Sequence, residues 1–482
     1  MNDLKPSRIG RALYEALPEV YRTRDGQEKG NGQGHLAAYL DSCGTLLDAI
    51  YNSLDQRYKD CFPETCQEWL LPYFAELVGA FTLSPQLEGR RKEIMHAIAW
   101  RQSKGTLKTV DQIAKEIGEF EHLFVQEGWK RVARTVRADG PSSLPTIVNL
   151  RGKTPQNFVG HRNTDVCSVD VRKPDWRQGH ANPRTVLFYA SPYAGFFTDK
   201  NVIEFQWNTA GVNGTEDVNT WFTEVSEPPQ PSEYIELKFI KETNTWSFFK
   251  KPEKTGIINI TAPSTKNCVK TLEGAGLLNP PLNYHFSEIN LEGAIKVTEK
   301  TRLVLEKLAA RDVQITGQYD EKNPSFIATD CLIQTLSARN RFVRLVYCTV
   351  FDKAIIEHIE ASDCIFAGGM LYDSTWEKNP SKGNGIRYSR HGQESRFGRL
   401  VGNTTDMPVF YTKEWGKPGC GVIHPATPKS ICNGAEDGGE MGAFHHRAYV
   451  LAWEAVSRKL LDYLPVGMNA ALIPDKTLAE ND

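Results

Sequence analysis

The sequence predicts a multidomain α+β protein, with an N-terminal helical bundle or hairpin region, then β-rich domains that include a short β-solenoid-like stack, then a C-terminal helix. Three observations carry this expectation. The first 125 residues show apolar positions at helical spacing, the middle of the chain alternates between strand-like runs and turn clusters, and four short motifs repeat between residues 309 and 368. A chain of 482 residues exceeds one ordinary core. The expected regions are 1–125 (helical), 126–289 (β-rich, with room for an inserted lobe at 200–282), 290–372 (repeats) and 373–482 (loop-rich, ending in the helix).

In HLAAYLDSCGTLLDAIYNSLDQRY the apolar residues Leu36, Leu40, Cys43, Leu47, Ile50 and Leu54 follow one another at intervals of 4, 3, 4, 3 and 4. A held 3.5-residue period suits a seam between supercoiled helices, whereas a helix packing on its own domain tolerates 3.6. Both an intermolecular bundle and an intradomain helix remain open on this pattern. Further on, IMHAIAWRQSKGTLKTVDQIAKEIGEF reads as two helices about a turn. Ile94, Ile98 and Arg101 line the first, Gly105 supplies a left-handed residue, Thr106 caps the second, and Leu107, Val110, Ile113, Ala114 and Ile117 form its apolar stripe. The nearby basic residues alternate with Glu88, Glu93, Asp111 and Glu116, which argues against a DNA-reading helix.

Between 126 and 289 the joints ADGPSSLPT, WNTAGVNGTED and SEPPQPSEY punctuate strand-like runs, and EYIELKFIKETNTWSFFKKP reads as a hairpin about Asn244 and Thr245. Trp176, Arg177, His180 and Arg184 cluster without a nucleophile beside a base, so a contact surface is the better reading. The repeat aligns AARDVQITG, IATDCLIQT, LVYCTVFDK and EASDCIFAG, which places Val313, Cys331, Cys348 and Cys364 in register. One such unit cannot bury its apolar face alone, so neighbours must stack. The preceding positions, Asp312, Asp330, Tyr347 and Asp363, read as stacked turn residues; Tyr347 interrupts what would otherwise be an acidic ladder.

Net charge of -2 with 57 basic and 59 acidic residues excludes a nucleic-acid footprint. No apolar run reaches a membrane span and no signal-peptide core precedes the first helix, which predicts a cytosolic product without direct membrane insertion. The ten cysteines form no C-x-x-C pair, as expected of buried thiols. The stretch GAEDGGEMGAFHH, residues 434–446, has the residue types of a metal or acid–base centre, but the adjacent His445 and His446 lack metal-site spacing. Its glycines suit a tight chain path, and its acids suit a helix start. No catalytic, cofactor-binding or metal-ligating residue is assigned.

The two-helix stretch, with Trp100, Lys104, Gly105 and Thr106, and the terminal region PVFYTKEWGKPGCGVIHPATPKSICNGAEDGGEMGAFHH together resemble the extended phage tail protein I group. The RKPDW run at 172–176 is similar to part of the extended form. These are baseplate wedge subunits of contractile phage tails and contractile injection systems. The resemblance implies a structural subunit that is not an enzyme and carries no cofactor. It would bundle with larger wedge proteins, contact hub or sheath-proximal parts, assemble in the cytoplasm and end in a tail or injection particle. It makes Leu36, Leu40, Cys43, Leu47, Ile50, Leu54, Trp100, Lys104 and Gly105 the expected interaction residues. Two other classes are a polysaccharide-degrading tail component using Asp330 and Asp363, and a metal-dependent hydrolase centred on 434–446.

Overall fold

The computed structural model describes residues 7–27, 34–120, 122–132, 169–179, 181–197, 202–207, 217–225, 230–261, 282–297, 301–316, 324–352, 354–371, 385–392 and 399–474. The joint ADGPSSLPT, residues 208–216 of the joint WNTAGVNGTED, His180, Cys167 and Cys268 lie outside these residues. Two compact units emerge: Met1–Thr82 with Leu87–Gln102, and Leu83–Gln86 with Ser103–Asp482.

The first unit is helical, with α1 (Arg8–Glu15), α2 (Glu19–Gln27), α3 (His35–Lys59), α4 (Leu71–Val78) and α5 (Leu87–Gln102). α1 crosses α3 at Gly10 and Gly44, and a Cβ on Gly44 would sit 2.3 Å from the Gly10 nitrogen. Only hydrogen at both positions permits this approach. Acids of α3 fix the start of α1: Asp41 accepts the Ser7 N–H at 2.6 Å, and Asp48 accepts the Ser7 hydroxyl at 2.6 Å. Asp25 caps α3, accepting from the Leu36 and Ala37 amides at 2.8 and 3.1 Å. In α5 the buried residues are Gly89, Glu93, Ile94, Ala97 and Trp100. Ile98, expected on that face, is 56% exposed, because the buried set continues from Ile94 to Ala97 and Trp100 rather than to Ile98 and Arg101.

In the second unit, α6 (Leu107–Gly118) begins as the sequence predicts. Gly105 has φ 87, and Thr106 Oγ1 accepts the Thr109 N–H at 3.3 Å. Val110, Ile113, Ala114 and Ile117 are buried, whereas Leu107, expected on the same stripe, is exposed in the first turn. β1 (Leu123–Glu127) pairs antiparallel with β2 (Thr185–Ala190), which pairs parallel with the final strand, Asn469–Pro474. The terminal helix Tyr449–Tyr463 packs beside α6, with Phe120 edge-on to Trp453 at 5.7 Å. Two regions far apart in the sequence thus share one core.

The remaining strands form one large sheet: β3 (Val202–Trp207), β4 (Phe222–Glu224), β5 (Ile235–Ile240), β6 (Thr245–Lys250), β7 (Ile257–Thr261), β8 (Leu282–Ser287), β9 (Asn290–Val297), β10 (Thr301–Glu306), β11 (Ala309–Ile315), β12 (Phe326–Thr329), β13 (Leu332–Val346), β14 (Thr349–Val350), β15 (Ala354–Ser362), β16 (Ile365–Phe366), β17 (Met370–Leu371), β18 (Gly385–Arg387) and β19 (Arg399–Val401). β5 and β6 make the expected hairpin, with Asn244 at φ 50 in its turn. Two short helices, α7 (Val218–Trp221) and α8 (Pro231–Tyr234), lie at this end, where Trp221 packs against Trp246 at 5.3 Å and Phe248 at 5.3 Å.

From β6 onward, parallel ladders run in register. Phe248, Phe286, Leu305, Ala328, Leu345, Ala361 and Ile386 form one column. Ile260, Leu291, Ala310, Ile333, Val350 and Phe366 form another. All thirteen are buried. Each coil supplies one inward residue per column and so closes the apolar face of its neighbours.

Between the ladders runs a column of left-handed turn residues: Glu288, Lys307, Asp330, Tyr347, Asp363, Tyr388 and Gly402, with φ from 47 to 66. From Glu288 to Tyr388, the N–H of each donates to the carbonyl just before its counterpart in the next coil, as from Lys307 to Thr329 at 3.0 Å. The following column is Ile289, Leu308, Cys331, Cys348, Cys364 and Ser389, all buried. The expected alignment of Val313 and Asp312 with this repeat is therefore corrected. Ala309 pairs with Leu332, which sets Leu308 opposite Cys331, while Asp312 sits mid-strand opposite Thr335. The cause is a left-handed position filled by Lys307, a residue type without the turn preference of Asp or Asn.

Candidate functional site

Two places concentrate the residues singled out from the sequence. The first is α3. Leu40, Leu47 and Leu54 take the a positions of a heptad and Leu36, Cys43 and Ile50 the d positions, so one helix face carries all six. Leu36, Leu40 and Cys43 are half-buried, whereas Leu47, Ile50 and Leu54 are exposed. The flanking e and g positions are Ala37, Gly44, Tyr51, Tyr58, Tyr39, Leu46 and Ser53, none of them charged. Leu46 is 72% exposed and Tyr58 70%. Sequence reasoning missed these flanks by following only the a/d rhythm, although the absence of charge beside it was legible. A further apolar stripe, Trp69, Tyr73 and Leu77, is exposed along α4 and the turn before it.

Trp100, Lys104 and Gly105 have other settings. The Trp100 indole is 2% exposed and stacks on His96 of its own helix, with ring centroids 5.7 Å apart. Lys104 lies 6.0 Å over the Tyr463 ring, and the Gly105 N–H donates to the Tyr463 carbonyl at 3.0 Å. Lys104 and Gly105 thus anchor the start of α6 to the terminal helix.

The second place is residues 434–447, which lie along the turn column. The Asp363 carbonyl accepts the Gly442 N–H at 2.8 Å, and Asp363 Oδ1 accepts the Glu436 N–H at 2.7 Å. Ser362 donates its hydroxyl to Asp363 Oδ2. Thr349 Oγ1 accepts the Ala443 N–H at 3.0 Å; a Cβ on Gly442, at φ 96, would lie 2.5 Å from that oxygen. His445 stacks face to face on Tyr347, centroids 3.9 Å apart, with Nδ1 2.6 Å from the Glu440 carbonyl and Nε2 3.0 Å from Asp437 Oδ2. His446 Nε2 lies 3.3 Å from Asp330 Oδ2. The two histidines thus serve different carboxylates. No cluster of three or more His, Cys, Asp or Glu able to hold a metal occurs among the described residues.

Glu440 is wholly enclosed and accepts the Val450 N–H at the start of the terminal helix. Burial pushes its carboxyl up to about 8, against the opposing pull of the Val450 and Leu451 amides. Asp330 is also raised by burial, with His446 and Lys307 opposing. Asp363, by contrast, has both oxygens bonded beneath residues 436–442, and Tyr347 separates it from Asp330 along the column. The two acids do not share an open cleft.

Among the described residues no helix is long and apolar enough to cross a membrane, and the buried thiols of Cys331, Cys348, Cys364, Cys420 and Cys432 are free. Comparison with curated proteins gave no match, and comparison with solved structures gave none. Residues 38–146, from the start of α3 to beyond β1, match the family model described as phage tail protein (Tail_P2_I). Over that segment the chain is similar to phage tail proteins, which supports a structural tail component.

Proposed function

We propose that the protein is a non-enzymatic baseplate wedge subunit of a contractile tail or contractile injection system, in which α3 joins a heteromeric helical bundle with larger wedge proteins. The observation that carries this reading is the broad exposed apolar face of α3, inside the segment that matches the tail-protein model. A two-stranded coiled coil keeps charged residues at e and g, whereas α3 is uncharged and mostly apolar there on both sides of its seam. Such a face suits contact with two partner helices. Leu47, Ile50 and Leu54 are already partly covered, so burying what remains exposed contributes roughly 2–5 kcal/mol before the cost of association.

The second unit then serves as a rigid arm. Its parallel ladders support the β-solenoid reading, and its outer surface would contact hub or sheath-proximal parts. Assembly would occur in the cytoplasm, with no nucleic acid, cofactor or membrane insertion involved. Co-expression with the neighbouring tail proteins tests this: the Leu40→Asp, Leu47→Asp double variant, folded by circular dichroism, is expected to lose co-purification. Retention of the complex at the unmodified level would overturn the bundle.

A further inference from the structure

A cleft of about 430 Å³ opens where the turn column meets residues 193–196, the 250–257 turn and residues 443–447. This volume lies within the range of small-molecule sites. Its floor is apolar, made by Ile257, Phe196 and Phe444, the two rings 5.0 Å apart. Its rim carries Glu288, Lys307 and Asp330, consecutive members of the left-handed column and hence about 4.8 Å apart per coil. Other polar groups of the cleft are already engaged. Lys250 donates to the Gly256 carbonyl, Arg447 grips Glu119 at 2.5 Å, and His446 faces Asp330 Oδ2.

Three rim positions keep open hydrogen-bonding capacity: the Lys307 ammonium, the Glu288 carboxylate and Asp330 Oδ1. Among the described residues, no hydrogen bond or ion pair takes up the Lys307 ammonium or the Glu288 carboxylate, both on exposed residues. Asp330 is 6% exposed, and its Oδ1 has no hydrogen-bond partner. An unsatisfied buried acceptor is costly, so this oxygen favours a ligand that brings it a donor. A purely anionic or purely cationic ligand would meet a like charge in the alternating rim. A pyranose ring does not: its hydroxyls both donate and accept, and its C–H face packs on aromatic rings.

We propose that this cleft is a saccharide-binding site, with Asp330 and Lys307 bonding sugar hydroxyls and Phe196 and Phe444 supporting the ring face. The site binds without cleaving, and it is independent of the α3 bundle. The full-length protein applied to an array of neutral microbial oligosaccharides, followed by calorimetry on the best binder, provides the test. Saturable binding is expected, unchanged between about 0.05 and 0.5 M NaCl. Lys307→Ala and Asp330→Asn should each weaken it about tenfold or more, as for loss of one hydrogen bond to a charged group. Lys307 is exposed, so its variant should melt with the unmodified protein and decides the matter even where Asp330→Asn unfolds. The proposal falls if no oligosaccharide binds, if Lys307→Ala binds equally well, or if only a zwitterionic peptide such as tetraglycine binds and added salt removes it.

Discussion

Replacing Glu440 by Gln should change how stability responds to pH. The Glu440 carboxyl is enclosed behind the stack and accepts the Val450 N–H, so the environment opposes its ionisation even at a helix start, where negative charge is ordinarily favoured. Its folded value is about 8 against 4.5 for the free side chain. A group raised in the folded state contributes stability that is complete below the unfolded value and is lost as pH rises through the folded one. For Glu440 the window runs from about 4.5 to about 8, with a slope of up to ~1.4 kcal/mol per pH unit and a total of order 5 kcal/mol. Gln keeps the amide acceptor for Val450 and does not titrate. Urea unfolding at pH 5, 6, 7 and 8 should therefore show Glu440→Gln gaining on the unmodified protein at each step. Parallel profiles, or a gain by the unmodified protein as pH rises, would refute the burial argument.

Three further substitutions probe the packing. Gly44→Val forces a side chain into the α1 backbone, where a Cβ alone would lie 2.3 Å from Gly10 N; hydrogen exchange should show α1 losing protection while the second unit keeps it. Asp363→Ala leaves the Glu436 amide without its acceptor, and a cost of about 1.5–3 kcal/mol is expected in the unfolding free energy. Thr349→Val strands the buried Ala443 N–H at similar shape, so chemical denaturation should show a loss of about 1–3 kcal/mol.

Much of the helical part was legible because its signals are local. Thr106 and Gly105 mark the start of α6, and the α6 stripe is buried at Val110, Ile113, Ala114 and Ile117. The stack was legible where cysteine recurs, at Cys331, Cys348 and Cys364. It was misaligned one coil earlier, because Lys307 and Leu308 share neither charge nor sulfur with their counterparts. The left-handed column emerges from backbone geometry, and side chains as unlike as Lys307 and Tyr347 occupy it. The role of residues 434–446 was half legible. The glycines and the helix-start acid fit the sequence reading, but the partners Tyr347, Thr349 and Asp363 lie some 70 to 100 residues away and no local pattern announces them. The cleft rim escaped notice for the same reason: Glu288, Lys307 and Asp330 become neighbours only when coils stack.

A wedge subunit of the proposed kind requires partner helices to cover the α3 face in the assembled particle. Hydrogen–deuterium exchange of the isolated protein and of the purified tail assembly measures this directly. Amides of residues 39–58 are expected to become strongly protected in the particle. Equal exchange of that segment in both states would contradict it.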